Sequence, residues 1–188
     1  MHRCFLFAIA GLLAGVFAPP LSAQGRCEPT GDPLVSVLIE PGEITGIDRN
    51  LSIAVYLNGC VSVRLPTHYR RAGRYVVLAT AAERAALAAL VQQPKLLNFS
   101  AAAVDAELSA ARHASPVESF FYVADGDRFT LRIRDEATGK LTTLQYEAAT
   151  QYAERYPQVV ALKQLATTIE ALLQYAARED LIALESRP

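Results

Sequence analysis

Five side chains gather in a stretch of twelve residues, "RLPTHYRRAGRY": Arg64, His68, Arg70, Arg71 and Arg74, with Tyr69 and Tyr75 among them. Guanidinium groups present forked N–H donors that match carboxylate, phosphate or sulfate oxygens, and an imidazole adds a group that titrates near neutrality. Such a set is a candidate site for an anion: a phosphate, an acidic or sulfated glycan, or an acidic patch on a protein. The plainer alternative is a solvated basic loop between two strands. His113 falls in a break before Pro116 and is expected to face solvent. Glu154, Glu170, Glu179 and Asp180 form no catalytic pair and are expected on a solvated helix face. The chain lacks G-x-S-x-G, H-E-x-x-H, a Walker loop, G-x-G-x-x-G and C-x-x-C, so no catalytic residue is assigned and neither metal nor cofactor is expected.

The cysteines bear on the same question. Cys60 follows Asn58-Gly59 within "AVYLNGCVSVRL", and the other two cysteines are Cys4 and Cys27. A reactive thiol needs a base that depresses its pKa, and two thiols without a paired motif make a poor zinc site. If Cys4 is removed with a leader, Cys27 and Cys60 remain in an oxidising compartment, and a disulfide between them is expected.

Such a leader is legible at the start of the chain. One positive charge, Arg3, precedes an apolar run from Cys4 to Phe17, and Pro19, Pro20 and the small residues Ser22, Ala23 and Gly25 follow. The run is shorter than the roughly 20 residues that span a bilayer, so residues 1–23 read as a signal peptide cleaved after Ala23, with Gly25 the second choice. Cys27 follows Arg26, not a small residue, which argues against lipidation. The mature chain, residues 24–188, is expected to be a single α+β domain, periplasmic or secreted, with no membrane span. It holds seventeen basic and nineteen acidic side chains, a net charge of −2, which gives no broad attraction to nucleic acid.

Elements that must position these residues follow from periodicity. "PLVSVLIE", "LSIAVYL", "CVSVRL" and "GRYVVLA" read as strands, and Asn58-Gly59 predicts a two-residue type I′ hairpin with Tyr56 opposite Val61 and Ala54 opposite Val63. Thr80 and Glu83 form a capping box for a helix that ends before Pro94, with Leu87, Leu90 and Val91 as its apolar stripe. Val104 and Leu108 mark a short alanine-rich helix. Asp125-Gly126 predicts a second hairpin with Tyr122 opposite Phe129 and Phe120 opposite Leu131, Thr138-Gly139 another turn, and the stretch from Pro157 a long amphipathic helix. The whole reads as a two-layer fold of antiparallel strands followed by a helix, a layout that occurs twice, over about 34–99 and 116–177.

That order of leader, strand, hairpin with an Asn-Gly or Asp-Gly tip, capped helix, second meander and long terminal helix resembles small exported proteins of Gram-negative bacteria of unknown function. The resemblance is one of layout and implies a periplasmic address without carrying over any catalytic residue. Together these readings favour a non-enzymatic binding or inhibitor module whose partner is another envelope or secreted protein. The alternative is a small hydrolase or transferase that grips an anionic substrate with the loop 64–75 and uses His68 as acid or base.

Overall fold

Alternation of apolar and polar residues decides which face each strand buries, and the register decides which strands agree. The computed structural model describes residues 26–42, 49–114 and 121–184; the leader and its cleavage site lie outside them. In chain order the elements are β1 (Pro33–Glu40), β2 (Leu51–Tyr56), β3 (Cys60–Leu65), β4 (Gly73–Leu78), α1 (Ala81–Val91), α2 (Pro94–Leu97), α3 (Ala101–His113), β5 (Arg128–Arg134), β6 (Leu141–Glu147), α4 (Ala149–Arg155), α5 (Val160–Ala176) and β7 (Ile182–Ala183). The strands form one antiparallel sheet in the order β6-β5-β1-β2-β3-β4-β7, so the chain is an α+β protein.

One face of the sheet is apolar across its width. Leu131 stands opposite Val37, Val37 opposite Ile53, Ile53 opposite Val63 and Val63 opposite Tyr75, and all but Tyr75 are fully buried. Helix α5 lies against β2 and β3 on this face, and α1, α2 and α4 pack on α5. Its stripe of Leu162, Leu165, Ile169 and Leu172 is buried, each side chain worth about 1.5–3 kcal/mol relative to exposure. Thr168 interrupts that stripe without an unsatisfied hydroxyl, because its Oγ1 donates to the Gln164 carbonyl at 2.9 Å. Val104 and Leu108 of α3 are buried as their spacing requires, and Ser100 caps that helix. The capping box on α1 is present in both directions.

Four expectations need correction. At the first hairpin only Gly59 has positive φ, +85°, and its N–H donates to the Tyr56 carbonyl at 2.9 Å. The connection therefore spans Leu57–Gly59, one residue longer than a type I′ loop, and this shifts the register by one: Val55 faces Val61 and Ile53 faces Val63. Leu51, Ile53 and Val55 then point inward where Ala54 and Tyr56 were expected, which buries more aliphatic surface. The second hairpin does not form. Phe121 to Asp127 lies outside the sheet, and the strand edge reserved for it is taken by β1, which pairs with β5 from Val35–Ile133 to Glu40–Arg128. Phe120 lies outside the described residues. Pro157 precedes the last helix in a turn, because a separate helix, α4, ends at Arg155. The last strand, β7, was not foreseen. Strands from both stretches of the chain thus enter one sheet, and their buried side chains form one cluster.

Candidate binding surface

The face of the sheet opposite the helices is largely polar: it is half-buried over β1 and β2, carries arginines on β3, β4 and β5, and sets Glu40 and Glu147 on either side of Arg128. Register places Ser36, Ala54 and Ser62 in one row, with Arg132 beside Ser36, and places Leu38, Ser52, Arg64 and Arg74 in the next, with Thr130 beside Leu38. Apart from Cys60 and Val76, the side chains of this face between β5 and β4 are half-buried or exposed. Two concavities lie on it. One of about 620 Å³ is lined by Arg26, Glu28, Tyr56, Ser62 and Arg74; the other, about 440 Å³, by Ser52, Ser62, Arg64, Arg74 and Leu184.

The segment that carries Arg26 is held there by covalent and polar ties. Cys27 and Cys60 are bonded, with sulfurs 2.15 Å and Cα atoms 5.5 Å apart. Asn58 at the hairpin tip donates to the Glu28 carbonyl at 2.8 Å and to Thr30 Oγ1 at 2.9 Å, while its Oδ1 accepts from the Cys60 N–H at 3.0 Å. Arg26 Nη2 donates to the Leu184 carbonyl at 2.8 Å, so the segment reaches across the ends of β3 and β4 towards β7. The turn residue Asn58 thus does more than close the hairpin.

Fold geometry divides the basic stretch 64–75. Arg64 and Arg74 are direct cross-strand neighbours on the open face. Arg71 turns the other way: its Nη1 donates to the Arg178 carbonyl at 3.0 Å, and its Cζ lies 5.5 Å from the centre of the Tyr75 ring on the helix-covered face. His68 and Arg70 are exposed in the connecting turn, with the His68 ring 4.9 Å edge-on to Tyr69. Two of the five predicted residues therefore share a surface, and Arg26 and Arg132, which the sequence reading passed over, join them there. The signal for Arg132 was available, since Arg128, Thr130 and Arg132 alternate with apolar residues. Arg26 carried no such signal, because it reaches the sheet only through long-range ties: the Cys27–Cys60 bond, the Asn58 hydrogen bonds and its own bond to the Leu184 carbonyl.

Beyond the basic loop, Arg178 anchors the end of α5. It contacts Asp180 at 2.6 and 2.8 Å and Glu83 at 3.1 Å. The Arg178 hydrogen bonds hold the Asp180 carboxyl below its ordinary pKa. Burial alone would raise Glu83, but hydrogen bonds from the Thr80 backbone and side chain, with Arg178 beside them, leave it lowered.

A third cleft, about 500 Å³, lies between α3 and the edge strand β6. Tyr146 donates its O–H to Asp105 Oδ1 at 2.7 Å, and burial followed by that bond to a carboxylate pushes the Tyr146 phenol well above its ordinary pKa. Arg112 sits 5.7 Å from the Tyr152 ring centre and 5.9 Å from that of Tyr156. Among the described residues no three His, Cys, Asp or Glu side chains gather to hold a metal ion, and no helix is long and apolar enough to cross a membrane. No protein-family model, curated protein or solved structure matches the chain.

Proposed function

We propose that the chain is an exported, non-enzymatic binding module of inhibitor type that acts in the periplasm or outside the cell, and that its open sheet face receives an acidic surface of another envelope or secreted protein. The carrying observation is the face itself: a floor in which the small side chains Ser36, Ser52, Ala54 and Ser62 surround a half-buried Leu38, flanked by Arg26, Arg64, Arg74 and Arg132. Small side chains admit close approach, and an exposed cationic rim favours carboxylates and steers their arrival. A net charge of −2 on the mature chain makes this local excess of arginine a feature of the surface and not of the composition. The disulfide supports an oxidising compartment. In this reading the leader ends at residue 23, and the fold is two layers, sheet and helices, with the strand-then-helix layout used twice.

The alternative of a hydrolase or transferase at loop 64–75 gains nothing from the geometry. His68 is exposed, and among the described residues it makes no hydrogen bond to a carboxylate that would orient it as acid or base.

Poly-L-glutamate serves as a defined acidic probe. Binding measured by biolayer interferometry should weaken steeply with added salt and fall about tenfold or more when Arg64, Arg74 and Arg132 are replaced together by Glu. An affinity unchanged by that reversal would refute the assignment of the face, and so would an absence of binding at low salt.

A further inference from the structure

The cleft between α3 and β6 lies at the outer edge of the sheet, beyond the arginines that carry that reading, and its chemistry differs. Its lining includes Asp105, Arg112, Tyr122, Gln145, Glu147 and Tyr152. Asp105 and Arg112 each have a partner, and Glu147 has a basic cross-strand neighbour. Asp105 accepts from Tyr146, Arg112 lies over two tyrosine rings, and Glu147 stands opposite Arg128 in the β5–β6 ladder. An anion entering here meets two carboxylates, and a cation meets the resident guanidinium. Neither is selected.

What remains is directional. Asp105 keeps its second oxygen as an acceptor, Glu147 adds a carboxylate, and Arg112 supplies N–H donors. Gln145 offers an amide whose Nε2 also reaches Thr130 Oγ1 at 3.2 Å. At the rim Tyr122 is 74% exposed, the most exposed large apolar or aromatic side chain among the described residues. Its neighbour Phe121 packs edge-on against Tyr152 at 5.8 Å and Tyr156 at 6.4 Å, which anchors the segment that carries Tyr122. The cleft floor also holds Ala148 in the left-handed region, φ 53°, a conformation that costs a non-glycine residue free energy and is found preferentially at functional sites.

We propose that this cleft binds an uncharged oligosaccharide. Sugar hydroxyls each donate and accept, which suits a wall that mixes carboxylate acceptors with guanidinium and amide donors. The apolar C–H face of a sugar ring suits an exposed tyrosine ring held at the rim, where an aromatic side chain gives contact area at low entropic cost. A volume of about 500 Å³ accommodates a few sugar units with the rest of the chain in solvent.

Isothermal titration calorimetry of the mature protein with cellotetraose, chitotetraose and maltotetraose tests this, with sialyllactose and tetramethylammonium chloride as the charged comparisons. Tyrosine fluorescence gives a second readout, because the chain has eight tyrosines and no tryptophan. At least one neutral tetrasaccharide should bind below about 1 mM. Tyr122→Ala should weaken that binding about tenfold, Tyr122→Phe should retain it, and Asp105→Asn should weaken it severalfold. Circular dichroism of Tyr122→Ala should match wild type, since the side chain is exposed. No binding of any neutral tetrasaccharide at about 10 mM would overturn the proposal. Preferential binding of either charged compound, or binding indifferent to Tyr122→Ala, would overturn it as well.

Discussion

Asn58-Gly59 and Asp125-Gly126 carry the same turn signal between apolar runs, yet the first closes a hairpin while the second bends a loop that never joins the sheet. The difference lies in what each glycine does. Gly59 uses positive φ, +85°, to reverse the chain between β2 and β3, and a Cβ there would lie 3.1 Å from the flexible Arg84 side chain. At the second site it is Asp125 that has positive φ, 55°, and Gly126 is required for a close approach instead. A Cβ on Gly126 would fall 2.6 Å from the Ala148 Cβ, and one on Gly42 would fall 2.4 Å from the Asp125 carbonyl oxygen. The 125–126 turn is wedged between the end of β1 and the start of α4, and a hairpin is impossible because β1 already occupies that edge of β5. Local turn chemistry proposes a reversal; the availability of a free strand edge decides whether it becomes a hairpin.

The largest effect separating the two sites should come from the disulfide, which fastens only the first. Reduction of Cys27–Cys60, 33 residues apart, should lower stability by about 3–4 kcal/mol through loop-closure entropy, less if the unfolded chain is compact. Urea denaturation with and without reductant measures it, and hydrogen exchange should show the protection lost first around Asn58. Next is Gly126→Val, expected to cost about 3 kcal/mol because the backbone of Ala148 cannot yield. A cost below that of Gly59→Val would mean the wedge is not tight.

Gly59→Val should cost about 1–2 kcal/mol, mostly backbone strain, since the Arg84 side chain can move aside. The smallest effect is acid sensitivity. Arg84 donates to the Leu57 carbonyl at 3.2 Å, so the first turn of α1 buttresses the first hairpin and not the second site. Glu83 and Asp180 have folded pKa values below the ordinary 4.5 and 3.8. Their contribution is therefore present above the unfolded values and is lost as pH falls through the lower, folded ones. Melting temperatures of wild type and Arg178→Ala should differ near neutrality and converge as pH falls below about 3, with a modest gap because both carboxylates are largely exposed. A gap that persists at about pH 2 would refute the linkage.

Strand and helix identities were largely readable because each rests on a local period. "PLVSVLIE" became β1, the Thr80–Glu83 box opened α1, Val104 and Leu108 were buried, and the stripe of α5 points inward. Pairing was not readable, because which strand flanks β5 depends on competition among edges far apart in sequence. The one-residue error at Asn58-Gly59 shows how sharp this is: a loop of three residues in place of two inverted every inward assignment in β2. In the basic stretch, strand alternation puts Arg64 and Arg74 on the open face, whereas Arg71 lies in the turn between β3 and β4 and is drawn the other way by the Arg178 carbonyl and the Tyr75 ring. Asp105 and Tyr146 meet across 41 residues and left no local trace.

The central functional claim, that an acidic partner docks on the open sheet face, is tested most directly by amide chemical-shift mapping during titration with poly-L-glutamate. The expected perturbations run in two rows across the sheet, at Ser36 and Arg132, Ser52, Ser62, Arg64 and Arg74, and fade with added salt. Shifts confined to the turn around His68 and Arg70, or scattered over the helix-covered face, would contradict it.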